Sequence, residues 1–337
     1  MLRDSPWRPI PPLAAAAAAI ALSGCYYAHI AAGQLEVNSR RVPIAEVVAD
    51  AATDATLRRR LEFAVRARDF AMVELGLPDN GSYRTFADLG RRYATWNLFA
   101  APELAIEPMR WCFPIAGCVS YRGYFDDDRA RRAAAKLVAR GYDTWIGPST
   151  AYSTLGHLRD PVLNTMLGYG DAELAAFIFH ELAHQAAYAP GDSDFNEAFA
   201  MVVEAEGLKR WFAREGLPGA LEKFVSVRAR ERHAAVLMVD ARRRLAGIYA
   251  STPDAAAARE LKAAELTRLR EALIAAGYPA TGEFNNARLT AIATYERCVP
   301  MLRAELDRFG NDLPAFYAEM KRLENDALAR RKLCPLT

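Results

Sequence analysis

Two of the five histidines in the sequence lie four residues apart, on either side of a glutamate, in the segment HELAH (180–184). On an α-helix, residues four apart are turned by about 40° and raised by about 6 Å, so both imidazoles project from one face and can bind one ion. Neutral imidazoles bind zinc readily, and a glutamate after the first histidine can act as general base for a metal-activated water. The motif predicts His180 and His184 as ligands and Glu181 as the base; a chance match of three letters is the alternative.

A third ligand is expected at Glu197, in the segment NEAFA (196–200). A predicted turn at 189–193 can fold a second helix back so that its face with Glu197 and Glu204 meets the histidine face. Two histidines, one glutamate and an open fourth position are the ligand set of a catalytic zinc, here one Zn²⁺ per chain. Glu204 is expected either to accept a hydrogen bond from a ligand histidine or to lie on the surface. Asp194 is expected to cap the second helix.

The N-terminus has the pattern of a secretory signal peptide. Arg3 and Arg8 precede an apolar run from residue 13 to residue 22, which small residues follow. That run is too short for a lasting membrane-spanning helix, and no later segment reaches about 18 uncharged apolar residues. The sequence therefore predicts an exported protein.

The segment LSGC (22–25) resembles the bacterial lipobox, in which cleavage precedes the cysteine and its thiol carries lipid. Lipid on Cys25 would tether a soluble domain to a membrane. By resemblance to lipoproteins of bacteria with two membranes, Tyr26 after the cysteine favours the outer membrane over the inner one, with the domain facing the periplasm. An alanine-rich helix that ends at a cysteine by chance is the alternative.

Four cysteines remain once Cys25 is set aside, and an even number suits disulfides in an oxidising compartment. Three connectivities are possible. The turn residues of PIAG (114–117) favour a bridge from Cys112 to Cys118, and Cys298 with Cys334 then follows by elimination. A zinc site built from the four is the weaker alternative, because no Cys-x-x-Cys spacing is present.

Composition limits the classes of partner. The 337 residues are 52% hydrophobic and 25% charged, with Lys+Arg 43 against Asp+Glu 41. This balance is typical of a globular protein and argues against a nucleic-acid partner. We expect a signal peptide over 1–24, a lipid anchor and tether over 25–45, and a folded domain over 46–337, in which 46–215 holds the sheet and the zinc-site helices and 216–337 is helical.

Periodicity and turn residues predict a mostly helical chain with one small sheet. The sheet is expected within residues 93–154, where a helix from Asp127 to Arg140 interrupts it. The other expected helices are Val47 to Gly76, Ala172 to Tyr188 with Asp171 as its cap, Phe195 to Arg214 capped from Ser193 and Asp194, an antiparallel pair on either side of 251–254, and two or three between Ala287 and Lys332 with breaks near Pro300 and Gly310.

HELAH followed by NEAFA resembles the gluzincin metallopeptidases, whose HExxH and NExxA helices supply two histidines and a glutamate. Longer blocks resemble the bacterial family of predicted aminopeptidase lipoproteins: WCFPIAGCVSYRGYF (111–125), DTWIGPSTAYSTLGHLRDPVLNTML (143–167) and FNNARLTAIATY (284–295). They occur in order across most of the chain. The resemblance implies a mostly α (α+β) zincin-like metallopeptidase core, zinc on His180, His184 and Glu197, Glu181 as base, and a peptide substrate.

The same resemblance suggests roles for other residues. A phenol usually stabilises the oxyanion, and Tyr295 and Tyr152 are the candidates. Residues 149–155 would pair with the substrate backbone or form a plain edge strand. The large zinc aminopeptidases carry an acidic residue in that segment to bind the substrate amine, whereas this chain has none there and leaves Glu173 or Glu204 as substitutes. Asn285, Asn286 and Arg288 would bind substrate or brace a helix, His157 could line the cleft, and His233 is expected on the surface.

The sequence thus predicts a lipid-anchored zinc peptidase of the cell envelope; the resemblance implies an aminopeptidase, and the missing acidic residue leaves exopeptidase and endopeptidase action both open. Two alternatives stay open: a zinc hydrolase that uses the same ligands on a substrate other than a peptide, and a catalytically silent envelope lipoprotein that acts as a scaffold.

Overall fold

The computed structural model describes residues 12–113, 117–154, 158–292 and 298–334, which form a mostly helical α+β fold with small sheets. The helices are α1 (Pro12–Ser39), α2 (Ile44–Ala49), α3 (Ala55–Val73), α4 (Asp127–Val138), α5 (Asp171–Ala186), α6 (Ser193–Glu215), α7 (Pro218–Ser251), α8 (Ala255–Ala275), α9 (Asn286–Ile292), α10 (Val299–Arg308), α11 (Leu313–Glu324) and α12 (Ala327–Leu333). The strands are β1 (Arg41–Pro43), β2 (Thr85–Ala87), β3 (Thr95–Pro102), β4 (Trp111–Phe113), β5 (Gly117–Val119), β6 (Arg122–Tyr124), β7 (Tyr142–Ser149) and β8 (Val162–Leu163).

Strands β3 to β7 lie in the region where the sequence predicts a sheet. Central β3 pairs antiparallel with β6 and β7, in a register that places Trp96 opposite both Tyr124 and Pro148. Strands β4 and β5 form a separate hairpin. A further sheet, in the order β1-β2-β8, was not predicted, because strands of two or three residues are too short to show a two-residue alternation.

The predicted helix from Val47 to Gly76 is wrong in one respect: it is two helices, α2 and α3. The break has a local cause, since the side chain of Asp54 accepts hydrogen bonds from the backbone N–H groups of Thr56 at 2.8 Å and Leu57 at 3.1 Å. A side chain that satisfies these donors starts a new helix. After α3 the chain turns at Gly76, whose φ is +66°.

Two of the predicted helix caps are also wrong. Gly170 precedes α5, so Asp171 is the first helical residue rather than its cap, and it forms an ion pair with Arg60. Asp192 caps α6 by accepting from Phe195 N at 3.3 Å, and therefore Asp194 lies inside the first turn.

The C-terminal part is helical, as predicted. Helices α7 and α8 form the expected pair around residues 252–254. Four helices, rather than two or three, follow within the described residues. Gly310 lies between α10 and α11, but Pro300 lies in the first turn of α10, where its missing N–H costs nothing.

Both disulfides have the connectivity that the sequence favours. Cys112 joins Cys118, which lies opposite it in the antiparallel pair of β4 and β5. Cys298 joins Cys334 and so ties the start of α10 to the end of α12.

Aromatic packing fixes helices α3, α5 and α6 to one another. Trp211 of α6 is only 2% exposed, and its ring meets Phe63 and Phe70 of α3 edge-on, with centroid distances of 5.7 and 5.0 Å. Phe179 of α5 completes the cluster at 6.4 Å from Trp211. Among the described residues, no helix has both the length and the apolar character needed to cross a bilayer.

Helices α5 and α6 approach closely at Gly207. A Cβ atom there would lie 2.7 Å from Leu75 Cδ1 and 2.9 Å from Phe179 Cδ2, and both of these side chains are fully buried. Since overpacking a core typically costs about 1–3 kcal/mol, we expect Gly207→Ala to lower the free energy of unfolding by that amount in urea denaturation. Gly247→Ala, on an exposed part of α7 with nothing within 4 Å of the added Cβ, is the matched control and should stabilise by up to about 1 kcal/mol. Equal destabilisation by both variants would contradict the close approach.

Candidate metal centre

The turn between α5 and α6 is held by side chains that make its geometry specific. Asn196, 2% exposed, donates to Ala189 O at 2.9 Å and accepts from Ala189 N at 2.7 Å. From the C-terminal helices, Arg330 donates to Asp192 at 2.8 Å, and Glu324 accepts from Tyr188 N at 2.8 Å. These hydrogen bonds fix where α6 begins and therefore where Glu197, the residue after Asn196, lies.

The two histidines of the motif, His180 and His184, lie in the C-terminal half of α5. They meet Glu197, which lies near the start of α6. Glu197 Oε2 lies 3.3 Å from His180 Nε2, and its Oε1 lies 3.7 Å from His184 Nε2. One ligand atom from each of the three residues falls within 4.8 Å of the others. The structure thus brings together the three residues that the sequence predicts as ligands.

These residues fit a zinc ion. Ligand atoms about 2.1 Å from a tetrahedral zinc lie about 3.4 Å from one another, close to the two distances above. Imidazole nitrogens and a carboxylate oxygen are donors that zinc accepts. His184 is 7% exposed, so its imidazole is held inside the protein with its Nε2 3.7 Å from Glu197 Oε1.

His180 is held from behind by a buried carboxylate. Its Nδ1 lies 3.1 Å from Glu204 Oε2, and Glu204 Oε1 accepts from Arg228 of α7 at 2.8 Å. A proton on Nδ1 that points to Glu204 leaves Nε2 as a lone-pair donor toward His184 and Glu197. Glu204 therefore lies where the first of the two sequence alternatives puts it.

The pKa shifts of the three ligands reflect this arrangement. Burial lowers the pKa of His180, but hydrogen bonds and charge from Glu197 and Glu204 outweigh it and hold that pKa well above 6.5. Burial lowers the pKa of His184 to about 4, against the opposing charge of Glu197. Burial raises the pKa of Glu197, yet its hydrogen bond to His180 and the charges of both histidines bring it below the usual value.

Glu181 lies beside these ligands in an enclosed position. Burial is the main cause that raises its pKa to about 7; His180 opposes this shift, and the charges of Glu197 and Asp160 add to it. A carboxyl group with this pKa can both take and return a proton near neutral pH. Tyr83 is buried and has a left-handed φ of +60°. Burial raises the pKa of its phenol, and the charge of nearby Glu181 raises that pKa further.

The two phenols that the resemblance suggests stay predictions: the ring of Tyr152 packs edge-on against Phe125 with a centroid distance of 4.9 Å, and Tyr295 lies outside the described residues. Two other phenols, Tyr121 and Tyr188, line a small cavity of about 40 Å³ together with Glu197. Burial and then the charge of Glu197 raise the pKa of both phenols, and for Tyr121 Glu181 contributes as well.

A signal for one of these phenols is present in the sequence. Tyr188 follows His184 by four residues, just after the end of α5, and its ring centroid lies 6.3 Å from that of His184. Tyr121 has no such signal, because it comes from a segment far from the motif and reaches the site only through the β3–β6 pairing.

Other candidates have structural roles. The side-chain amide of Asn286 donates to the carbonyls of Pro102, Glu103 and Ala105, and Asn285 donates to Thr144 O at 3.0 Å. Both side chains therefore brace the ends of β3 and β7. Arg288 donates to Thr281 O and Glu283 O.

The remaining candidates are placed as follows. His233 is exposed, as predicted. Ser149 ends β7, residues 150–154 continue without regular structure, and His157 and Leu155 lie outside the described residues.

Loss of the Glu204 carboxylate should weaken metal binding without unfolding the protein. Because partners that orient a ligand histidine are commonly worth about 10–100-fold in metal affinity, we expect Glu204→Gln to raise the zinc Kd by that factor in a chelator competition assay. Glu206→Gln is the matched control: Glu206 lies on the same helix, is 3% exposed and pairs with Arg210 and Arg303, but does not touch a ligand. An unchanged Kd in Glu204→Gln would contradict the role given to Glu204.

Comparison with known proteins gives one match. A family model described as "Putative aminopeptidase" matches residues 25–334, which is most of the chain and includes every residue of the site. No match was found among curated proteins or solved structures. Since the family model matches most of the chain, including the candidate metal centre, the chain belongs to the putative aminopeptidase family.

Proposed function

We propose that this protein is a zinc-dependent aminopeptidase of the cell envelope. The observation that carries the proposal is the convergence of His180 Nε2, His184 Nε2 and the Glu197 carboxylate within 4.8 Å, beside a glutamate on the same helix. Zinc bound there would polarise the scissile carbonyl and lower the pKa of a water molecule. The family to which the chain belongs supports a peptidase activity.

The residues of the chain would divide the remaining work. Glu181 takes the proton of the attacking water and passes it to the leaving amine. Glu204, supported by Arg228, keeps the His180 ring in the orientation that presents Nε2 to the site. Tyr121 donates a hydrogen bond from its hydroxyl to the oxyanion that forms at the scissile carbonyl.

A substrate path leads away from Glu197. The small cavity at Glu197 shares Ser120 and Ser193 with a larger cavity of about 390 Å³, which is of the size that takes a short peptide segment. The lining of the larger cavity carries both signs of charge, with Asp194 one helical turn before Glu197 and four arginines, Arg110, Arg242, Arg330 and Arg331. The comparison of free and N-acetylated substrates decides between exopeptidase and endopeptidase action at this site.

The lipid anchor and the periplasm-facing location on the outer membrane belong to the same proposal. The lipobox-like LSGC segment supports them, as do the disulfides Cys112–Cys118 and Cys298–Cys334, because such bridges persist in oxidising compartments. Mass spectrometry of the protein from a bacterial envelope should give a chain that begins at a diacylglyceryl-modified Cys25. An unmodified, uncleaved N-terminus would contradict the anchor alone and leave the peptidase proposal standing.

The test of the activity compares matched substrates. The purified protein, loaded with zinc, is incubated with a panel of amino-acid amides and short peptides and with the same compounds N-acetylated. Release of the first residue only from substrates with a free amine supports the aminopeptidase. Cleavage of the acetylated peptides would indicate an endopeptidase, and cleavage of esters without peptides would indicate another zinc hydrolase.

Tyr121→Phe tests the assignment of the oxyanion donor. Removing one donor of this kind costs about 10²–10³ in kcat, and we expect that loss with KM little changed, because the bond strengthens only in the transition state. Tyr152→Phe is the matched control and should leave kcat within about twofold, since its ring packs against Phe125. The opposite ranking of the two variants would return the role to Tyr152.

A further inference from the structure

A further polar cavity, of about 450 Å³, lies on the surface between α4 and strand β6, and several basic side chains line it. Arg129, Arg132 and Lys136 are spaced by three and four residues, so they lie on one face of α4, and all three are exposed. Arg140 follows the end of the helix, and Arg122 comes from β6. We call this cavity the basic groove.

The basic groove is unlike the rest of the molecule in charge. Five Arg or Lys residues line it, and none of the described residues that line it is acidic, although the whole chain has 43 basic against 41 acidic residues. Of the carboxylates nearby, Asp127 pairs with Arg131 at 3.0 Å, and Asp126 lies 4.0 Å from Arg132. Within the described part of the chain, Arg122, Arg129 and Lys136 have no carboxylate within 4.0 Å. The groove therefore attracts an anion from outside.

Aromatic side chains lie among these cations. Tyr26, Trp111 and Tyr124 line the basic groove, and the guanidinium of Arg122 lies 3.8 Å above the ring of Tyr26. Rings with an apolar body and a polar edge, next to Lys and Arg, are typical of surfaces at the boundary between lipid and water. This combination favours an amphiphilic anion over a small soluble one.

The N-terminal segment fixes the basic groove in relation to the anchor. Tyr26 donates from its hydroxyl to Gly123 O at 3.0 Å, and His29 Nε2 accepts from Phe125 N at 3.1 Å. The residue before Tyr26 is Cys25, whose Cα is one peptide unit, about 3.8 Å, away. A lipid attached at Cys25 would therefore leave the protein at the edge of this groove.

We propose that the basic groove binds the phosphate groups of anionic phospholipids and holds the domain in one orientation on the membrane. A lipid chain at Cys25 alone would let the domain rotate relative to the membrane. Binding of lipid headgroups at α4 and β6 adds a second membrane contact near the anchor and limits this rotation. The basic groove and the phospholipids that it would bind are separate from the candidate metal centre. The inference draws on the proposed anchor only for the position of the membrane.

The experiment uses the full chain in lipid nanodiscs, where either lipid on Cys25 or the uncleaved apolar segment holds it. Discs contain phosphatidylcholine alone or with about 30% phosphatidylglycerol, and the labelling rate of Lys136 by an amine-acylating reagent is read by mass spectrometry. Lys209, whose side chain on α6 is 63% exposed, is the internal reference. We expect Lys136, but not Lys209, to be labelled at least about threefold more slowly on the anionic discs, and roughly 0.5 M salt to remove the difference.

Charge-reversal variants distinguish binding at the basic groove from a general effect of the protein's net charge. Arg129→Glu with Arg132→Glu should abolish the protection of Lys136, whereas Arg59→Glu with Arg66→Glu, an equal charge change on exposed residues of α3, should leave it intact. Equal labelling on both kinds of disc would overturn the proposal, and so would equal protection by inorganic phosphate on neutral discs. Zinc content and peptidase activity are measured on the same samples, so a failure here is distinguishable from a failure of the proposed enzyme or anchor.

Discussion

Replacing Glu181 with glutamine is expected to lower kcat for peptide hydrolysis by about 10²–10⁴ while the zinc content stays at one ion per chain. The amide keeps the shape of the side chain but cannot accept a proton at neutral pH. Because Glu181 is not among the three ligand residues, the loss should appear in kcat with the metal retained. Metal analysis and steady-state kinetics on the same preparation measure both quantities.

The result also decides between an enzyme and a scaffold. Asp171→Asn, at the start of the same helix with a side chain 62% exposed, is the control for a change of charge on α5 and should keep full activity. A scaffold would keep its cellular phenotype in Glu181→Gln, whereas an enzyme would lose it. Full activity in Glu181→Gln would exclude the mechanism proposed for this site.

The ligand set could be predicted from the sequence because each step is local. His180 and His184 need only one helix, and Glu197 needs one turn and the start of a second helix. Asp192 and Asn196 help to fix the position of this turn, because their side chains accept hydrogen bonds from backbone N–H groups no more than seven residues away. Short-range hydrogen bonds of this kind are visible as residue types at fixed spacings.

The phenol proposed as oxyanion donor and the β1-β2-β8 sheet could not be predicted for the opposite reason. Tyr121 reaches the site because β3 pairs with β6 on one side and β7 on the other, and nothing in the residues around Tyr121 records that pairing. The β1-β2-β8 sheet joins segments up to about 120 residues apart through two or three residues each. Non-local pairings of short strands leave no periodic trace in a single sequence.

Removing one ligand should remove the metal. We expect His184→Ala and Glu197→Gln to reduce the zinc content from about one ion per chain to a small fraction after dialysis against metal-free buffer, because two remaining protein ligands bind zinc far more weakly than three. Glu197→Gln keeps the side-chain volume, so its loss of metal would not stem from a cavity. His233→Ala, which removes an exposed histidine on α7, should retain the full metal content.

Thermal unfolding provides a measurement that does not depend on activity. A ligand that binds only the folded state stabilises it by about 4 kcal/mol when present at a thousand times its Kd, and for a chain of 337 residues 1 kcal/mol corresponds to roughly 1.5 °C in Tm. Zinc should therefore raise the Tm of the wild-type protein and of Glu181→Gln by about 6 °C, but not that of His184→Ala or Glu197→Gln. A zinc-dependent rise in Tm in the two ligand variants would place the ion elsewhere, and a folded wild-type protein without stoichiometric metal would leave the scaffold as the remaining function.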